Sequence, residues 1–316
     1  MSRRAWLAFA ALSLIWGVPY LFIKVAVDGG VSPFFLAWAR LLLGALLLFA
    51  LVPRQGLEML RNGPRRWILA YATVEMVLPF PLIAAGEQHV DSSVAAIVIA
   101  TVPLLIALLA LRFDHTERPT RTRMLGMLIG LAGVVALVGI DLSANPSEVL
   151  GATAVLAAAF GYAAGPMIIK RHLLSFDPRA TMAASLTVAA LLLTPAGLIT
   201  FPSSAPPADA LASLIVLGLV CTATAFVILV VLVSEVGAGR ASIITYVNPV
   251  IAVALGVAIL GESPGAGAIA GLLLILAGSW LSTDDRLPPN PTAIVTRWRG
   301  RCRPQTQPSL PVRSTT

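Results

Sequence analysis

Charge is what this sequence has least of. Asp, Glu, Lys and Arg make up 12% of its residues, against about a quarter in ordinary globular chains. Lysine occurs only at Lys24 and Lys170, so arginine carries almost all the positive charge. So little charge excludes an ordinary soluble domain. Histidine is scarce too: His89, His115 and His172 fall in polar stretches far apart along the chain. No His, Asp or Glu cluster has the spacing that a metal site or a hydrolytic centre needs, so neither a metal nor a cofactor is expected. The two cysteines carry no spacing motif, with Cys221 in an apolar run and Cys302 in the basic tail, and no disulfide is expected. No glycine-rich phosphate-binding loop occurs, which argues against ATP-driven work by this chain alone.

What is present is apolar sequence, with hydrophobic residues at 58% of the chain. It falls into ten runs: 6–26, 33–52, 67–86, 92–111, 123–140, 149–169, 180–200, 210–233, 239–260 and 266–282. Each is near the roughly twenty residues that a helix needs to cross a hydrocarbon core of about 30 Å. The start mimics a signal peptide, with Arg3 and Arg4 before an apolar run. No small-residue cleavage site is evident, so it is taken as a retained first span. Loop charge alternates. Arg54, Arg61, Arg65 and Arg66 fall in the second loop, Arg112, Arg118, Arg121 and Arg123 in the fourth, and Lys170, Arg171 and Arg179 in the sixth. The odd-numbered loops carry Asp28, Glu87, Asp91, Asp141, Glu148, Asp209 and Glu262. Positive loops face the cytoplasm, which puts both termini inside. The eighth loop, with Glu235 and Arg240, is neutral. The net charge of +7 therefore reads as topology rather than nucleic-acid binding. From residue 283 onward the chain is rich in proline and arginine and is expected to be a disordered cytoplasmic tail. Its Trp298 and neighbouring arginines could contact anionic lipid.

The apolar runs repeat. Residues 241–262, with Pro249 in the middle, echo residues 95–117, with Pro103 in the middle, and both prolines are expected to break their helices. Leu131-Ala132-Gly133 returns 145 residues later as Leu276-Ala277-Gly278. Five spans per repeat is an odd number, so the second repeat enters the membrane from the opposite side. The expected fold is all-α integral membrane, ten transmembrane helices as two inverted five-helix repeats. The boundaries are 5–140 and 149–282, followed by the tail.

An ordered set of residues supports a family resemblance. It begins with Ile15-Trp16-Gly17, Lys24, Pro33, Arg40 and Gly86-Glu87-Gln88. It continues with Pro103, Glu117, Gly126 to Gly133, Glu235, Tyr246-Val247-Asn248-Pro249, Gly261-Glu262 and Gly278. The chain resembles the ten-span EamA-type family of the drug/metabolite transporter superfamily. That resemblance implies an inner-membrane carrier, often an exporter of amino acids or other small metabolites, working by alternating access. Glu75, inside the third span, departs from the neutral residue expected there.

Charged residues inside a membrane are candidate functional sites. Arg40 and Glu75 lie away from the span ends, at depths differing by roughly 8 Å by helical rise. Two readings stand: a structural ion pair, or a site in which Arg40 binds a substrate carboxylate and Glu75 titrates, giving proton coupling. Ser242, Thr245, Tyr246 and Pro249 share one face of the ninth span, with Asn248 beside them, either as interhelical hydrogen bonds or as cavity lining. Trp16 and Tyr20 flank Gly17 and Pro19, an expected helix break; Tyr162 and Pro166, with Gly161 and Gly165, suggest its counterpart in the sixth span. Glu87 and Glu117 are expected to be solvated charges at span ends, and Lys24 and Lys170 interfacial anchors. A secondary transporter of a small molecule, with the bilayer as its surroundings, leads. A membrane-embedded enzyme or a channel with the same helical plan is the alternative.

Overall fold

The computed structural model describes residues 2–113, 121–137, 145–236 and 244–283, all helices and short turns. The tail, Glu117 and Ser242 lie outside the described residues. Ten apolar helical segments are present. In order they are Arg3–Asp28, Pro33–Leu51, Arg65–Gly86, Ser92–Ile99 with Val102–Phe113, and Arg121–Ala136. The second set is Pro146–Leu173, Pro178–Ile199, Ala208–Ile215 continuing to Ala225–Val236, Ile244–Leu260 and Ala266–Thr283. These are spans one to ten below.

The two repeats begin their second helices alike. Ser32 Oγ accepts from Phe35 N at 3.2 Å ahead of Pro33. Asp177 Oδ1 accepts from Arg179 N at 2.8 Å and Ala180 N at 3.1 Å ahead of Pro178. In each case a capping side chain satisfies orphan amides, and a proline takes the first position, where no N–H is needed.

Packing shows the same symmetry. Span two packs on span seven, four on nine and five on ten, each against its own counterpart. At the last pair a β-carbon placed on Gly133 would lie 2.9 Å from the Gly271 carbonyl, and one on Gly278 would lie 2.5 Å from the Gly126 carbonyl. With the repeat of 145, each contact is the image of the other. Only glycine permits helix axes to come this close.

The second loop is not simply a loop. Pro53–Asn62 forms a helix that buries Gly56 and Met59 and exposes Arg54, Leu57, Glu58 and Arg61. Its ten residues are too few to cross a membrane and are amphipathic, as befits a helix lying along an interface.

Prolines act differently in different spans. The first span ends a helix at Gly17 and restarts at Pro19, and the fourth restarts at Val102, just before Pro103. Pro166 and Pro249, expected to break their helices, do not. Pro249 sits within an unbroken Ile244–Leu260. Oriented to donate, the Asn248 amide bonds the Ile244 carbonyl at 3.1 Å and braces the turn that the proline weakens. Gly161, Gly165 and Pro166 lie within an unbroken Pro146–Ile168, which widens into a π-turn at Ile169–Leu173 only beyond them. There Ile169 N bonds the carbonyls of Gly165 and Pro166, so the ladder resumes past the missing N–H.

Candidate functional site

The wider π-helical turns fall where the sequence pattern showed no break. Thr73–Val77 in span three and Val216–Thr224 in span eight are both π-helical. Shifted by 145 residues, the first lies inside the second. Pro79 explains the first of them. It has no N–H for the Glu75 carbonyl four residues back, and Leu78 N reaches to Thr73 O at 3.0 Å instead. In the second, Thr222 Oγ1 donates to Leu217 O at 2.8 Å, five residues back, closing the wide turn. Such turns recur at functional sites because they turn side chains off the regular helical register.

Each π-turn presents one side of the candidate site. From span eight, Thr222 Oγ1 accepts from Arg40 Nε at 2.9 Å. Arg40 is 8% exposed, and its guanidinium lies 4.2 Å from the centroid of the Phe80 ring. That ring face favours a cation. No carboxylate pairs with Arg40, and the Thr222 bond is its one hydrogen bond among the described residues. From span three, Glu75 packs against Gly165 of span six so closely that a β-carbon there would overlap its Oε2. That buried oxygen has no hydrogen-bond partner.

The ion pair between Arg40 and Glu75 is therefore not formed. Glu75, in the π-turn, packs on span six, while Thr222 of span eight holds Arg40. Tyr162 is close enough to both for their charges to act on it, and Tyr20 is close enough to Arg40, Tyr162 and Glu87. Tyr162 also packs edge-on against Phe80, with ring centroids 6.5 Å apart. Arg40, Tyr20, Phe80 and Tyr162 thus form one polar and aromatic centre, with Glu75 behind Tyr162.

The remaining candidates lie elsewhere. Trp16 packs edge-on against Phe226 of span eight, with centroids 6.1 Å apart. The Asn248 amide bonds the Ser13 carbonyl at 3.1 Å, next to Gly17, whose missing β-carbon admits Ile251 of the same span. Tyr246 Oη donates to Ser279 O at 3.2 Å, and Ser279 Oγ to Ala100 O at 3.3 Å, so it fastens span nine to ten rather than facing Arg40. Thr245 is half-buried in span nine. Glu87 is not a solvated charge: it is fully buried, and neither carboxylate oxygen has a partner. Phe80, Thr222 and the π-turns were missed by the sequence reading. The only signals were a threonine in an apolar run and a proline four residues after Glu75. A hollow lined by Val98, Thr101, Leu137, Ala152, Leu156 and Ile275 holds none of the charged candidates.

The model of the EamA-like transporter family matches residues 3–139 and again residues 149–283. The chain belongs to that family. Among relatives of this EamA-like chain, the uncharacterized inner membrane transporter YedA of Escherichia coli K12 is 28% identical over 81% of this chain and 83% of its own. The uncharacterized transporter YoaV of Bacillus subtilis 168 is 26% identical over 88% and 96%. A protein of Salmonella typhimurium LT2 named "Probable amino-acid metabolite efflux pump" is 24% identical over 89% and 95%. One solved crystal structure is similar in fold, with a TM-score of 0.63, 22% identity and coverage of 90% of this chain and 97% of that one. The protein is an integral membrane transporter of ten spans in two inverted repeats.

Proposed function

We propose that this EamA-like transporter carries a small metabolite with a carboxylate, an amino acid or close relative, and that Arg40 binds the carboxylate. One observation carries the reading: Arg40 is a buried guanidinium with no acidic partner among the described residues. Leaving a buried charge unpaired costs several kcal/mol, which a bound anion would offset. A guanidinium offers five donors in a fork that matches a carboxylate, and Nε uses one of them on Thr222. Phe80, Tyr20 and Tyr162 supply an apolar wall with polar edges for the rest of the substrate. The direction proposed is efflux, in keeping with the name of the Salmonella relative. The two repeats, 5–140 and 149–282, are proposed to move against each other in alternating access.

Both termini are proposed to be cytoplasmic. Arg4 pairs with Glu235 at 3.3 Å at one end of the bundle, while Asp28, Glu87, Asp91 and Glu262 gather at the other. The expected positive-inside polarity follows that sorting. A reporter fused at Gly300 should read cytoplasmic; a periplasmic signal overturns the orientation. For the substrate, metabolites in medium and cells are compared for a deletion strain carrying either the wild type or Arg40→Met. Restored export of carboxylate-bearing compounds by the wild type alone supports the reading; equal restoration by Arg40→Met overturns it.

A further inference from the structure

Glu87 directly follows the third span and lies under a lid of charge. It is fully buried, and among the described residues neither of its carboxylate oxygens has a hydrogen-bond partner. Lys24 Nζ does not bond that carboxylate. It donates to the Glu87 backbone carbonyl at 3.0 Å and pairs with Asp28 at 3.2 Å. Glu262 is held just as firmly elsewhere. Gly261, at φ 69°, turns the chain so that Glu262 accepts from Ser92 N at 2.8 Å, Ser93 N at 3.0 Å and Ser93 Oγ. This carboxylate caps the fourth span from the second repeat, favoured by the helix dipole. Lys24, Asp28 and Glu262, which close over Glu87, are thus each committed to another partner.

An ionised carboxylate in that position would be buried without a hydrogen bond or a bonded cation. The uncharged acid avoids that cost. The groups facing Glu87 are Lys24 and Asp28 from span one, Arg40 from span two and Glu262 from the turn before span ten. Asp91 and Glu148 extend the acidic field around Glu262. Burial holds the Glu87 carboxyl well above the usual range, and Glu262 and Asp28 add to this while Lys24 and Arg40 oppose it.

We propose that Glu87 is a proton-binding site of the carrier, roofed by the Lys24–Asp28 pair and by Glu262 capping span four. The proton comes from water at that end of the bundle. Arg40 is close enough for its charge to act on Glu87. A proton on Glu87 removes negative charge from the surroundings of Arg40, so proton and anion favour each other's binding, and the coupling is reciprocal. A carrier loaded with both moves no more charge across the bilayer than the empty one. The proton site itself does not depend on what Arg40 binds, and its test needs no substrate.

The full chain, purified in detergent, is titrated from about pH 5 to about pH 9, a range that includes the raised values of buried glutamates. Infrared absorption of protonated carboxyl groups is followed. Wild type should retain such absorption at neutral pH and lose one component as pH rises. Glu87→Gln should remove that component, and Glu75→Gln should leave it in place. Lys24→Met, which keeps Glu87, should move its midpoint upward by removing an opposing cation, and Asp28→Asn should move it downward. An unchanged titration in Glu87→Gln, or a midpoint that Lys24→Met does not raise, overturns the proposal. If Glu87→Gln does not fold, the Lys24→Met and Asp28→Asn shifts decide it alone.

Discussion

The two repeats share a backbone and divide a chemistry. Shifted by 145 residues, Arg40 falls on Ser185, Glu75 on Val220 and Tyr20 on Gly165. The second repeat supplies what the first repeat's charges lean on. Thr222 receives Arg40, and the bare α-carbon of Gly165 makes room for Glu75. At the image of the Arg40–Thr222 contact stand Ser185 and Val77, and the buried Ser185 hydroxyl has no partner. A duplicated scaffold gives matched π-turns and matched seams. Asymmetric substitution on that scaffold leaves one site with one charge rather than two half-sites.

The division of labour can be broken at Gly165 and at Thr222, with effects of similar size. Gly165→Ala puts a methyl into the Glu75 carboxylate and should destabilise the protein by about 1–3 kcal/mol as an overpacked site. Pairing it with Glu75→Ala should recover much of that loss, because the two share one volume. Thermal unfolding of the four variants checks this, and equal losses with and without Glu75 would contradict the contact. Thr222→Val comes next. It removes the one guanidinium hydrogen bond of Arg40 among the described residues and should cost about 1.5–3 kcal/mol, the range for bonds to charged groups. Arg40→Met acts in the opposite direction. With no carboxylate left unpaired behind it, the variant should unfold at a temperature no lower than wild type while losing transport. A true ion pair would instead make it strongly unstable. Smallest is Ser185→Ala, which removes an unsatisfied buried hydroxyl and should be neutral or slightly stabilising by unfolding temperature.

The helices, their number and their inverted repeat were legible because they rest on long-range regularities of sequence: apolar length, alternating loop charge and a period of 145 residues. Arg40, Tyr20 and Tyr162 stood out as candidates for a related reason, since a charge, or an aromatic beside a glycine or proline, is conspicuous in an apolar run. Their partners were not. Whether Arg40 meets Glu75 or Thr222 depends on how the helices are rotated, and both of those residues sit in π-turns that leave the regular helical register. Pro79 signalled the turn at Glu75 only through the carbonyl it leaves free. Pro249 and Pro166 misled because a proline's effect depends on what braces the turn, and Asn248 braces one of them. Glu87 misled because its place at a span end suggested water, while Lys24, Asp28 and the Glu262 cap close over it. The helix Pro53–Asn62 was hidden by its arginines, which read as loop charge although Gly56 and Met59 mark a buried face.

The central claim is that Arg40 holds a carboxylate. The direct measurement is a thermal-shift titration of the purified protein with pairs of amino acids and their amides, which differ at the carboxylate alone. At least one acid should raise the unfolding temperature of the wild type in proportion to its concentration, its amide should not, and Arg40→Met should lose the shift. Equal shifts from acid and amide, or an undiminished shift in Arg40→Met, would contradict the account.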